Sequence, residues 1–195
     1  MNKEQIKLNT GFTLIETLVA LAIFAFSVVS IVVVTGQGIN DVNYSKNKLS
    51  ATMLADEGIE LVRNIRDTYA LGDQATQGWN SFKMIAEPSF CGVICTIDPT
   101  EDLTSLNLGG VLPCDGITSC DPLWRDTSIN STGYYNYDTS LSSTNQPTIF
   151  TRNIQVADTG IDNVLQVTST VSWRQGQSTK TVTISEPIYN WYVKN

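Results

Sequence analysis

Apolar and polar positions divide the chain into stretches of different period. From Phe12 to Thr35 the sequence is almost continuously apolar, with no charge and no proline between Thr17 and Val34. That run predicts a helix without a polar face, about 36 Å long at 1.5 Å per residue, against a bilayer core of about 30 Å. Gly36 and Gly38 make a weak point after it, each costing about 1 kcal/mol relative to alanine in a helix. The polar residues Asn40-Asp41-Val42-Asn43 follow. A helical period then returns. Ala51, Leu54, Ala55, Gly58, Leu61, Val62 and Ile65 form one stripe, and Asp56, Glu57, Glu60, Arg63 and Asn64 lie opposite it. Glu60 and Arg63 are spaced to pair at i,i+3, which is worth only tenths of a kcal/mol. Met53 and Ile59 fall off the stripe, placed either to widen the buried face or to meet another chain.

After Asp67 the periodicity fades. Tyr69 to Pro147 is rich in glycine, proline, serine and asparagine, which predicts loops with a short hairpin or two. The last stretch is regular again. Ile149–Ala157 reads as a strand. In the next, Leu165, Val167, Ser169, Val171 and Trp173 alternate with Gln166, Thr168, Thr170, Ser172 and Arg174. Gln175-Gly176-Gln177 is a turn, and Thr179–Ser185 is the next strand, with Val182 and Ile184 inward. Pro187 is expected to end it, before an aromatic tail of Ile188, Tyr189, Trp191 and Tyr192. Three strands with short turns make an antiparallel meander, and the stripe of residues 51–65 supplies the cover its apolar face needs. The expected class is α+β: a long N-terminal helix, half transmembrane and half amphipathic, packed on a C-terminal antiparallel sheet. The expected organisation is a basic leader over 1–11, an apolar helix over 12–35, an amphipathic helix over 36–68, a loop-rich region over 69–147 and the sheet over 148–195.

Charge narrows the function. The 195 residues carry 12 Lys and Arg, 19 Asp and Glu and no histidine, a net charge of −7. Phosphate-backbone binding needs clustered cations, and only scattered Arg125, Arg152, Arg174 and Lys180 are available in the C-terminal part. No nucleic-acid partner is expected. Without histidine there is no Ser-His-Asp or Cys-His arrangement, so the chain reads as a non-enzyme. Lys3 and Lys7 ahead of the apolar run predict an N-terminus inside and the domain outside. The run is longer than the usual 7–15 residues of a cleaved secretory signal.

The loop-rich region holds Cys91, Cys95, Cys114 and Cys120. An even count in loop-rich sequence outside the membrane reads as two disulfides, with three connectivities open. The C-x2-C knuckles of a zinc site are absent. Asp98, Glu101, Asp102, Asp115, Asp121 and Asp126 match no EF-hand spacing and read as a solvated acidic loop. No metal or cofactor is expected. Asn130-Ser131-Thr132 matches a glycosylation pattern too short to carry weight. Tyr134, Tyr135 and Tyr137 form a small aromatic cluster that either packs on the sheet or meets a ligand.

One charge stands out. Glu16 lies at the head of the apolar run, where burial is costly, five residues past Gly11. The stretch GFTLIETLVALAIFAF, behind Lys3 and Lys7, resembles the class III signal of type IV pilins and type II secretion pseudopilins. The resemblance implies that a prepilin peptidase cuts between Gly11 and Phe12 and methylates the new Phe12 amine. It implies that Glu16 pairs with that amine, on a neighbouring subunit, during filament assembly. The physical reading agrees. A cut after Gly11 creates a positive amine about one helical turn from Glu16, and pairing the two lowers the desolvation cost. Losing Lys3, Glu4 and Lys7 also makes the mature chain one unit more acidic. The ending over about residues 149–193 resembles the V-type minor pilins, the type IV pilus modification proteins. Together these imply a minor pilin or a pseudopilin of the I or V type. Expected partners are the peptidase, other pilin subunits, the assembly machinery and membrane lipid. Some pilin relatives bind calcium in acidic loops. The alternatives are a membrane-anchored adhesin that does not polymerise and a DNA-uptake pilin.

Overall fold

The computed structural model describes residues 11–71, 78–101, 103, 110–114, 120–127, 133–137 and 145–191. The leader lysines, Asp102, Asp115, Asn130–Thr132 and Tyr192 lie outside the described residues. One helix, α1, runs Leu14–Leu71 without a break at Gly36 or Gly38. A Cβ added at either glycine would meet no atom within 4 Å, so nothing packs there to bend the helix. The contacts divide the chain into two units, Met1–Ser45 and Lys46–Asn195.

In the first unit every residue from Gly11 to Val34 is exposed. In the second, α1 buries Ala51, Leu54, Ala55, Gly58, Ile59, Val62, Ile65, Tyr69 and Ala70. Ile59, expected off the stripe, is 2% exposed and belongs to the core, whereas Leu61 is only partly buried. Met53 stays exposed. A short helix α2 (Gly78–Lys83) and a 3-10 turn (Met84–Ala86) follow, adding Phe82 and Ile85 to the core.

The sheet is antiparallel throughout and has seven strands among the described residues: β1 (Cys95–Ile97), β2 (Val111–Pro113), β3 (Pro122–Asp126), β4 (Tyr135–Asn136), β5 (Asn145–Asp158), β6 (Val164–Gln175) and β7 (Ser178–Tyr189). The meander β5–β6–β7 is its body. One side of β5 pairs with β6 from Phe150↔Trp173 to Asp158↔Leu165. Its other side forks: β3 pairs with Asn145–Thr151 and carries β4, while β1 pairs at Ile154 and carries β2.

The period-2 pattern decides which face is buried. On β6, Leu165, Val167, Ser169, Val171 and Trp173 are buried and their neighbours are not. On β5 the buried set is Phe150, Arg152, Ile154 and Val156. The β6–β7 connection is the two-residue loop Gly176-Gln177 between Gln175 and Ser178. Gly176 has φ 60°, and glycine at the first central position suits the tight hairpin turn that matches strand twist. β7 continues through Pro187, which pairs with Gln166, rather than stopping before it. Proline is tolerated there because, among the described strands, β7 is paired only to β6.

Candidate functional site

The N-terminal site is built at the start of α1. Gly11, Phe12 and Thr13 are not helical, and the helix begins at Leu14. Thr13 stands at the N-cap. Its carbonyl accepts hydrogen bonds from the amides of Glu16 at 3.1 Å and Thr17 at 3.3 Å, and its Oγ1 also accepts from Glu16 N at 3.4 Å. Thr13-Leu14-Ile15-Glu16 has the composition of a capping box, with the acidic residue in the first turn where the helix dipole favours negative charge. The structure therefore places Glu16 one turn beyond Phe12, and both are exposed.

The apolar helix behind this site satisfies its own polar groups. Thr17 Oγ1 donates to Leu14 O, Ser27 Oγ to Ile23 O, Ser30 Oγ to Phe26 O and Thr35 Oγ1 to Ile31 O, each at 2.8 Å. Hydroxyls bonded back to their own turn are compatible with hydrocarbon, where an unpaired polar group is costly. Among the described residues α1 is the helix long and apolar enough to cross a membrane.

The sheet unit contains a second set of charged groups, which the sequence reading missed. Arg152 on β5 is fully buried and points at α1. Its Nη1 donates to Leu54 O at 3.3 Å and to Glu57 Oε2 at 3.0 Å, and its Nη2 donates to Ile97 O at 3.1 Å. The guanidinium carbon lies 5.9 Å from the centre of the Tyr137 ring. One side chain thus ties α1, β1 and the segment after β4 together. Burial pushes the Tyr137 hydroxyl above its ordinary pKa. The signal was present in the alternation: Phe150, Arg152, Ile154 and Val156 occupy one face. Close approach of helix and sheet occurs beside it at Gly58, where a Cβ would sit 2.5 Å from Ser169 Oγ and 3.2 Å from Arg152 Cδ.

Of the acidic loop residues the structure describes Asp98, Glu101, Asp121 and Asp126. Asp98 is buried and fully engaged: it accepts from Thr100 N at 2.9 Å, Thr100 Oγ1 at 2.6 Å and Tyr137 N at 2.9 Å. Its role is to shape the turn after β1. Glu101 and Asp121 are exposed. No group of three metal-ligating side chains occurs among the described residues. The cysteines pair as nearest neighbours, Cys91–Cys95 and Cys114–Cys120. The first lies in the core, and the second borders a cavity of about 390 Å³ lined in part by Thr96, Leu112, Asp121 and Tyr137. With Arg152 buried, the exposed cations of the group considered for nucleic acid reduce to Arg125, Arg174 and Lys180.

Comparison with known proteins points to the N-terminal site. Residues 6–33 match the prokaryotic N-terminal methylation motif. Over 50 residues the chain is 50% identical to the type II secretion system protein I of Vibrio cholerae serotype O1. That match covers 26% of this chain and 43% of that protein. No solved structure matches the chain. The chain carries a prokaryotic N-terminal methylation motif, in a stretch similar to the type II secretion system protein I, at the head of a long apolar helix joined to an α+β unit.

Proposed function

We propose that the chain is a structural pilin or pseudopilin subunit, a membrane-anchored filament protein rather than an enzyme. A prepilin peptidase cuts between Gly11 and Phe12 and methylates the Phe12 amine. The apolar helix anchors the product in the membrane lipid with the sheet unit outside, and the assembly machinery draws it into a filament with other pilin subunits. Within that filament the apolar helices form the core, and Glu16 pairs with the Phe12 amine of a neighbour. The observation that carries this reading is the methylation motif, with Gly11, Phe12 and Glu16 in place, at the head of an apolar helix that nothing in its own unit covers. A helix apolar on all sides needs hydrocarbon or other helices around it. Once both charges enter an apolar phase, each stabilises the other and the pair sets axial register, which uniform Leu, Ile and Val do not. We place the chain among the minor subunits, as an initiator or tip subunit, on its likeness to the I-type pseudopilin and to the V-type ending.

Intact mass of the mature protein tests the processing. A species beginning at N-methylated Phe12 is expected. Retention of Met1–Gly11 overturns the pilin reading in favour of a simple anchor. Glu16→Ala tests the pairing: incorporation into filaments is expected to fall at least tenfold while cleavage continues. Unchanged incorporation removes Glu16 from assembly.

A further inference from the structure

We propose that Thr13 is a positioning residue for cleavage: by capping α1 it stops the helix short of the Gly11–Phe12 bond and keeps that bond extended for the peptidase. The inference rests on the prepilin reading above and adds a residue which that reading leaves idle. Hydrolysis adds one water across the bond, leaving a carboxylate on Gly11 and an ammonium on Phe12. The attacked atom is the Gly11 carbonyl carbon. Were the helix to start two residues earlier, the Gly11 carbonyl would accept from Ile15 N and the Phe12 carbonyl from Glu16 N, folding the scissile bond into the first turn. The structure shows the other arrangement. Glu16 N is held by Thr13 O at 3.1 Å and Thr13 Oγ1 at 3.4 Å, and the described ladder begins at Thr13 O, which also takes Thr17 N at 3.3 Å. Gly11 and Phe12 stay outside the helix.

A physical drive acts against this arrangement. In an apolar phase, uncapped amides recruit further helix, because each unsatisfied backbone group is costly there. Phe12 and the residues beyond it would be drawn in. Two features resist: Gly11 is a poor helix former, and Thr13 satisfies an amide that would otherwise seek the Phe12 carbonyl. Threonine supplies an acceptor oxygen, which valine of the same shape lacks.

The test uses the full chain in detergent with a purified prepilin peptidase. The readouts are the initial rate of appearance of the Phe12-starting species by mass and amide exchange at residues 12–16. Thr13→Val and Thr13→Ala are expected to be cut about fivefold more slowly, the loss of one cap. Their Ile15 amide is expected to gain protection as the helix grows upstream, because it alone acquires a new partner, the Gly11 carbonyl. Thr13→Ser and Thr13→Asn, which keep an acceptor, are expected to stay within about twofold of the wild type. Thr13→Val cut as fast as the wild type overturns the inference. So does Thr13→Asn cut as slowly as Thr13→Val, since the peptidase would then be reading side-chain shape. A wild-type chain left uncut at Gly11–Phe12 overturns the prepilin reading itself, and this inference with it.

Discussion

The two parts of α1 share one backbone geometry and nothing else. From Leu14 to Ser45 the side chains are apolar around most of the helix and almost all exposed within their own unit. From Lys46 to Leu71 a single stripe is buried, and the polar residues lie away from it. Continuous apolar sequence selects a helix for an environment outside the chain, while periodic apolar sequence selects one for the chain's own sheet. Glycine shows the same contrast. Gly36 and Gly38 have open space around them, but Gly58 sits where α1 and β6 touch.

If the second part is held by its partners, removing the central one should cost the most. Arg152→Ala leaves a cavity, takes one donor each from the Leu54 and Ile97 carbonyls, and leaves Glu57 without its cation. Glu57 is partly exposed and can rehydrate, so a loss of about 3 kcal/mol is expected, at the low end for breaking a buried pair. In a unit of this size that lowers Tm by about 10 °C. Arg152→Met keeps most of the volume and should recover about half of the loss. Thermal unfolding of the sheet unit reads both, and the helicity of residues 14–45 should not move with either. A Tm unchanged in Arg152→Ala would show that the apolar stripe alone holds α1 in place.

The glycines sharpen the comparison by a smaller amount. Gly58→Ala gains about 1 kcal/mol of helix propensity, but its Cβ must displace Ser169 Oγ from 2.5 Å. Overpacking of this kind costs about 1–3 kcal/mol, so a net loss of about 1 kcal/mol is expected, and Ser169→Ala in the same chain should relieve much of it. Gly36→Ala meets no atom and should stabilise the helix without touching the Tm of the sheet unit. Chemical denaturation of the three variants checks the order. Gly58→Ala as stable as the wild type would mean that the interface yields.

What the pattern made legible follows from the same distinction. The meander could be read because alternation over Leu165–Trp173 is a local property of the chain, and the stripe of α1 because its spacing is local too. Gly11, Phe12 and Glu16 were legible as a motif. The short strands β1 to β4 were not legible individually: each is two to five residues long, and their places are set by pairing that ends on β5. The disulfide pairing was open because it depends on which loops meet. Arg152 was misread as an available cation because arginine is usually exposed, although its phase on β5 put it with Ile154 and Val156. The cap at Thr13 was not legible, because a threonine beside a processing motif looks the same whether or not its oxygen faces the Glu16 amide.

The smallest expected effect lies at the end of α1, where the helix meets the tail of β7. Burial acts to raise the pKa of Asp67, but hydrogen bonds from Arg66 and from Trp191 Nε1, with the Arg66 and Arg63 charges, outweigh it and hold the carboxyl below its ordinary value of 3.8. Trp191 Nε1 donates to Asp67 Oδ1 at 3.0 Å, and Arg66 Nη1 donates to Tyr189 O at 3.4 Å. A carboxylate whose folded pKa is depressed adds stability that is fully present above 3.8 and is lost as pH falls through its folded value. The group is partly exposed and screened by solvent, so the gain is small. Asp67→Asn removes the titration while leaving an acceptor for Trp191. The Tm difference between wild type and Asp67→Asn should therefore be constant from pH 7 to about 5 and close as pH falls below 3.8. A difference that persists unchanged to pH 3 would mean that the carboxylate charge plays no part, and that the tail of β7 is held on α1 by packing and hydrogen bonds that do not need it.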